Sequence, residues 1–350
     1  MKNNLIERVL KTIRNYDMFK AGDAVLVAVS GGPDSIFLLK ALDFLQKKLK
    51  LKKIIVCNLD HGIRGKESSE DSYFVRKLAE EHGLGFIHKK ISVPDQKPKE
   101  LSIEETAREE RYKFFAAAAK AVKADVIATG HTMDDQAETI LMRIIKGASL
   151  KGIIGISPSR PVGSVRVVRP LFDLEKKEIE DYLDERSIAY RIDSTNLEPI
   201  YFRNTVRKEI LPYLEKYNPR LRRVLCSLAE HLREDYEFIQ EAKENAIRSI
   251  PPLAGPRQAR SATGGAPNAQ RNSNVEIKLK DLIVQPKALQ KEILRDLLER
   301  SGGEVKRLSF RHWKELERLI AHKGKGSSLD LPGDIRITRT SSFLAFQKRP

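Results

Sequence analysis

Residues 24–35 read AVLVAVSGGPDS, and this stretch decides the fold. Its first six residues are continuously apolar and Val-rich without alternation, as in a strand covered on both faces. Ser30, Gly31 and Gly32 end the run, Pro33 suits the first position of a helix, and Ile36, Leu38, Leu39, Leu42 and Leu45 follow at helical spacing. The order is strand, glycine turn, helix. Glycines allow the main chain to approach an anion, and a helix start presents unpaired N–H groups and a positive dipole end. Ser30, Gly31, Gly32, Pro33, Asp34 and Ser35 are therefore a candidate phosphate loop. The lysine of a Walker-type loop is missing, and the spacing is not GxGxxG. The plainer alternative is an ordinary strand-to-helix turn capped by Asp34 or Ser35.

The same order recurs downstream. IIVCNL (54–59) precedes a polar helical pattern from Glu67 to His82, GFIHKKI (85–91) precedes Ile103 to Val122, and DVIATG (125–130) precedes Met133 to Ile145. Alternation of this kind predicts an α/β domain with a parallel sheet and helices on both faces. Arg166 to Val168 add a strand and Leu174 to Arg186 a helix, which closes a first domain at residues 1–200. Residues 201–250 read as a helical segment. Residues 251–274, PPLAGPRQARSATGGAPNAQRNSN, hold too little apolar surface to order themselves and read as a linker. Residues 275–350 read as a small α+β domain of two helical patterns followed by strands in IRITRT and FLAF.

Composition agrees with a multidomain enzyme-sized chain. At 350 residues, 41% apolar and 32% charged, it can build real cores and is neither fibrous nor disordered throughout. Cys57 and Cys226 are its two cysteines, which excludes a disulfide framework and any four-cysteine metal or cluster site. No apolar stretch reaches the length of a membrane helix and no export signal is visible, so the chain reads as cytoplasmic with no membrane partner. The net charge of +16 is uneven, with +4 on residues 1–200 and +12 on residues 201–350. Such an excess suits a polyanion such as nucleic acid.

Further candidate residues fall at the predicted carboxyl ends of strands, where open parallel sheets bind ligands. Asp60, His61 and Arg64 follow the second strand, and Gly130 and His131 follow the fourth. On the next helix Asp134 and Glu138 are four apart, and Asp135 and Glu138 three apart. Crowded carboxylates favour a cation, either Mg2+ or an ammonium group, although a solvated acidic first turn complementing the helix dipole is the alternative. Ser102 and Glu105 form a capping-box pattern. Arg108 and Arg111 either meet phosphate or pair with Glu104 and Glu105. Arg203 and Arg207, four apart, share a face if a helix begins that early, which would make a clamp for phosphate or for developing charge.

SGGPDS, LDHGIRG, EETAREERYKFF, GHTMDDQAET and DSTNLEPIYFRNTVR, in this order, resemble N-type ATP pyrophosphatases of the PP-loop superfamily and, as a set, the tRNA(Ile)-lysidine synthase family. LSFRHWKELERLI and LDLPGDIRI resemble that family's small C-terminal domain. The resemblance implies ATP and Mg2+ as cofactors, free L-lysine as co-substrate, and as partner an isoleucine tRNA with a CAU anticodon whose wobble cytidine becomes lysidine. It implies ATP contacts from Ser30 to Ser35, Asp60, His61, Arg64, Arg108, Gly130 and His131. Asp34, Asp135 and Glu138 would hold metal and lysine ammonium, Arg203 and Arg207 would meet charge near the α-phosphate, and residues 201–250 would contact tRNA. The oligomeric state stays open, a homodimer included. A tRNA thiolase of the same superfamily would need paired cysteines that this chain lacks. A non-catalytic nucleotide- or RNA-binding protein would not need both a phosphate loop and a carboxylate face.

Overall fold

The computed structural model describes residues 4–60, 66–91, 103–191, 202–249, 275–303, 305, 308–321 and 326–349, with the side chains at 66–69 and 103–105 left aside. Two compact units divide it, Met1–Arg233 and Glu234–Pro350, and the helix Leu221–Ser249 contributes to both.

The first unit is built on a six-stranded sheet of β1 (Ala24–Ala28), β2 (Lys53–Asp60), β3 (Gly85–Lys90), β4 (Val126–Ala128), β5 (Ser159–Val162) and β6 (Val165–Val168), in the order β3-β2-β1-β4-β6-β5. β1 pairs parallel with β2 on one side and with β4 on the other. Because side chains alternate along a strand, Val25 and Val27 join one core with Ile36, Phe37 and Leu39, while Leu26 joins the opposite core with Phe114, Phe115 and Ile127. Both faces are covered, which is why the strand reads as one apolar run. The helices Pro33–Leu49, Lys66–Glu81, Ile103–Val122 and Met133–Ile145 follow the four expected strands, and Lys176–Asp184 follows β6.

One strand was not expected. β5 pairs antiparallel with β6, with Pro161 opposite Arg166. Proline cannot donate to a ladder, but an edge strand leaves one row of groups unpaired, so the residue that argues against a strand is tolerated there. The parallel sheet thus carries one antiparallel edge.

The second unit is a four-stranded antiparallel sheet, β7 (Val275–Lys278), β10 (Phe343–Lys348), β9 (Ile335–Arg339) and β8 (Ser328–Leu331), in that order. Ile277, Ile335, Ile337, Leu344 and Phe346 pack against Ile293, Leu294, Leu316 and Ile320 from the helices Lys287–Arg300 and Phe310–Ala321. The two expected helices and two expected strands are present. β7 and β8, each four residues long, are too short to carry a periodic signal of their own.

Candidate active site

Sheet order reverses between β1 and β4, so the loops leaving their carboxyl ends diverge and open a crevice. A cavity of about 770 Å³ lies there. The phosphate-loop candidate forms one wall. Gly32 stands at the N-cap of the Pro33–Leu49 helix with Pro33 in the first turn, and Gly31 adopts φ +97°, a conformation natural to glycine. The Ser35 hydroxyl knots the turn, donating to the Gly32 carbonyl at 2.9 Å and accepting from the Ser30 N–H at 3.2 Å.

The loop after β4 forms the facing wall. A Cβ on Gly130 would stand 3.2 Å from the main-chain carbonyl of Asp34, so glycine here lets the two loops touch. Gly130→Ala is expected to force them apart at a cost of about 1–3 kcal/mol. A lowered melting temperature together with weaker ATP binding would bear this out, whereas unchanged ATP affinity would show that the contact does not shape the cavity. Beyond Gly130, Thr132 caps the Met133–Ile145 helix in a capping box, its hydroxyl accepting from the Asp135 N–H and the Asp135 carboxylate accepting from the Thr132 N–H.

The acidic cluster is met by cations from the chain itself. Glu138, whose side chain is 2% exposed, accepts at Oε2 from Arg203 Nε at 2.8 Å and is forked by Arg207, which donates from Nε to Oε1 at 2.6 Å and from Nη2 to Oε2 at 3.0 Å. Asp135 Oδ1 lies 2.9 Å from Arg203 and 3.1 Å from Lys176 Nζ, while Lys176 Nζ also stands 3.8 Å from Asp34. Burial opposes the Asp135 charge, yet Lys176 and Arg203 hold its carboxyl well below the usual range. Asp34 behaves oppositely. Burial, opposed by Lys176 but reinforced by Asp135 and Asp134, lifts it to about 7, and its Oδ1 is buried with no hydrogen-bond partner. Asp134 turns away from the cavity to accept the Lys176 N–H at 2.8 Å and a guanidinium N–H of Arg222. The two arginines sit where the helix Phe202–Thr205 passes into a π-helical turn, Val206–Ile210, a widened geometry frequent at functional sites.

Of the residues singled out in the sequence, Ser30, Gly32, Pro33, Asp34, Ser35, Asp60, Arg111, Gly130, His131, Asp135, Arg203 and Arg207 line the cavity. Glu138 stands behind Arg203 and Arg207, and Arg108 lies 5.7 Å from the ring of Tyr112, a cavity residue. His61, Arg64, Ser102, the Glu105 side chain, residues 193–201 and the linker stretch 251–274 lie outside the described residues. Sequence reasoning missed Lys176 and Tyr112. Lys176 opens the helix after β6 and so belongs to another strand end, a signal that was there to use.

His131 is held neutral. Burial, aided by Arg169, pushes it down to about 3, and Thr129 Oγ1 lies 3.0 Å from its Nδ1. Unfolded, the ring takes a proton below about 6.5, whereas folded it does not until about 3, so its contribution to stability falls as pH drops between these values. Replacement by Gln should remove this acid sensitivity, a difference on the order of 3 kcal/mol between pH 7 and pH 4. Urea unfolding of both proteins at the two pH values measures it, and parallel losses would refute it.

The comparisons with known proteins agree with this geometry. Residues 1–214 match the PP-loop domain model, and residues 278–341 match the TilS substrate binding domain. The tRNA(Ile)-lysidine synthase of Clostridioides difficile is 34% identical over 96% of this chain and 69% of its own length. That of Geobacter sulfurreducens is 35% identical over 98% and 70%. A U34-tRNA thiolase from Methanococcus maripaludis superposes with a TM-score of 0.56 at 21% identity, covering 67% of this chain and 80% of that one, which shows the shared fold. Among the described residues no helix is long and apolar enough to cross a membrane. A glycine turn and a carboxylate–guanidinium array at adjoining strand ends, on a chain matched almost end to end by such relatives, place the protein in the tRNA(Ile)-lysidine synthase family.

Proposed function

We propose that the chain is an ATP-dependent ligase that converts the wobble cytidine of an isoleucine tRNA with a CAU anticodon to lysidine. The observation that carries this reading is the single cavity in which the Ser30–Ser35 turn faces Asp135, Arg203 and Arg207. In the first step the cytosine C2 oxygen attacks the α-phosphorus of ATP, and the bond to pyrophosphate breaks. In the second the lysine ε-amine, having lost a proton, attacks C2, and the C–O bond to AMP breaks. An anticodon base reaches such a site cheaply because it is already unpaired.

The turn and the start of the Pro33–Leu49 helix bind the polyphosphate through main-chain N–H groups. Arg203 and Arg207 meet charge that builds on the α-phosphate, and Glu138 holds both guanidinium groups in place beforehand. The orphaned Asp34 oxygen fits Mg2+, which takes one or two carboxylates and fills its shell with phosphate and water, and Asp135 Oδ1 in the same cavity would join it by giving up its Arg203 and Lys176 contacts. Glu138 stands behind Arg203 and Arg207 rather than in the cavity lining, so in this reading it holds the guanidinium groups and not the metal. Among the described residues no group of three or more His, Cys, Asp or Glu forms a self-sufficient metal site. Bound Mg2+ would supply neutralisation of phosphate charge. Lys176, lying between Asp34 and Asp135, supports an amine site beside the same carboxylates.

The test is incorporation of labelled lysine into an unmodified isoleucine tRNA transcript with a CAU anticodon, with methionine tRNA as control. Lysine- and ATP-dependent labelling of the first transcript alone is expected. Pyrophosphate release with no labelled tRNA would overturn the assignment.

A further inference from the structure

Tyr112 stands at the cavity wall among three guanidinium groups that arrive from different elements. Arg160, on β5, lies over its ring at 4.3 Å from the centroid, and Arg108, one turn earlier on its own helix, lies at 5.7 Å. Arg169, just after β6 and only 1% exposed, donates to the Tyr112 hydroxyl at 3.4 Å and to the Ser157 carbonyl. The partners of this trio among the described residues are a phenol and a main-chain carbonyl rather than carboxylates. The Nε groups of Arg160 and Arg169 are buried without any hydrogen-bond partner.

Elsewhere in the cavity every guanidinium described above has a carboxylate. Clustered like charges without a counter-ion are costly in a partly buried setting, and orphaned N–H donors add to the cost. Burial tends to raise the Tyr112 pKa, yet Arg169, Arg108 and Arg160 together bring it below its ordinary value, so the positive field at the phenol is strong. The same field reaches His131, on which Arg169 and Arg108 both act. Among the described residues no carboxylate pairs with this trio, which leaves the place open to an anion of the substrate.

We propose that Arg108, Arg160 and Tyr112, backed by the buried Arg169, form a second phosphate subsite, separate from the Ser30–Ser35 turn. Guanidinium forks match phosphate oxygens and remain charged at any working pH, which suits them to this task. The phosphate belongs either to the nucleotide or to the RNA backbone next to the reacting base. The proposal rests on the ligase reading for the identity of those two sources, and its test is by binding alone.

Arg108→Gln/Arg160→Gln in the full chain removes one exposed and one half-buried charge while leaving the buried Arg169 in place. Direct titrations with ATP and with the isoleucine tRNA transcript follow, at several salt concentrations. Lys47→Gln/Lys48→Gln, two exposed residues in the last turn of the Pro33–Leu49 helix, is the charge-matched control. At least fivefold weaker ATP binding with tRNA affinity retained assigns the subsite to the nucleotide. At least fivefold weaker tRNA binding, with a slope of log K against log salt shallower by about 0.7 to 0.9, assigns it to an RNA phosphate. Both affinities within twofold of the unaltered chain, or equal losses in the lysine control, overturn the proposal. If the unaltered chain binds both ligands but makes no lysidine, the ligase reading fails while the subsite is still judged by these affinities.

Discussion

Glu138→Gln is expected to slow lysidine formation by about 10²- to 10³-fold, the range for removing one preorganised electrostatic contact in an active site. The substitution keeps the shape and removes one negative charge. It also turns one of the two accepting oxygens into an amide donor, which then faces an Arg203 or Arg207 N–H instead of receiving it. Breaking a buried ion pair leaves its partners uncompensated, so a loss of roughly 3–5 kcal/mol of stability should accompany the rate effect. Single-turnover rates with saturating ATP and tRNA, beside thermal melts, separate the two consequences. If Glu138 acts by holding the arginines, Arg207→Ala added to Glu138→Gln should cost far less than Arg207→Ala alone. A rate within about threefold of the unaltered chain, roughly 0.65 kcal/mol of barrier, would make the array a structural feature only.

Asp34→Asn is expected to reduce ATP consumption by about 10³-fold while tRNA affinity stays within twofold. Asp34 faces the cavity and carries an oxygen that nothing among the described residues satisfies. Asn offers neither the charge nor the second oxygen. Since burial, against the pull of Lys176, raises Asp34 to about 7 in the metal-free chain, its charge appears as pH rises through neutrality, and activity at low Mg2+–ATP, which reports the free enzyme, should climb over the same interval. Asn cannot titrate, so the residual activity should be flat there. Pyrophosphate release across pH 6 to 8, with parallel tRNA titrations, decides the matter. If tRNA affinity fell as far as ATP turnover, the assignment of this turn to the nucleotide would be wrong.

Much of this site was legible because its signals are local. The apolar run at 24–29, the Gly31 and Gly32 turn and the Thr132–Asp135 cap act within a few residues, where sterics, main-chain hydrogen bonding and side-chain period impose the conformation. The order of strands and helices followed from the same periodicities, and ligand sites in such sheets gather at strand ends. The edge strand β5 escaped because its pairing with β6 overrides the local message of Pro161.

Spacing along the Met133–Ile145 helix marked Asp134, Asp135 and Glu138 together as a cation site, but could not say which cation or which acid. Neighbouring positions on a helix point about 100° apart, so Asp134 engages Arg222 and the Lys176 N–H while Asp135 faces the cavity. Like charges do crowd at this helix start. Relief comes from Arg203, 65 residues beyond Glu138, and from Lys176, 41 beyond Asp135. Likewise Arg169 meets Tyr112 across 57 residues. No periodicity links such pairs, because their separation is set by how β4, β6 and the helices pack. Which elements form is thus a matter of local chemistry written in the chain, whereas which charges meet, and which remain without a partner, depends on packing that brings distant residues within a few ångströms.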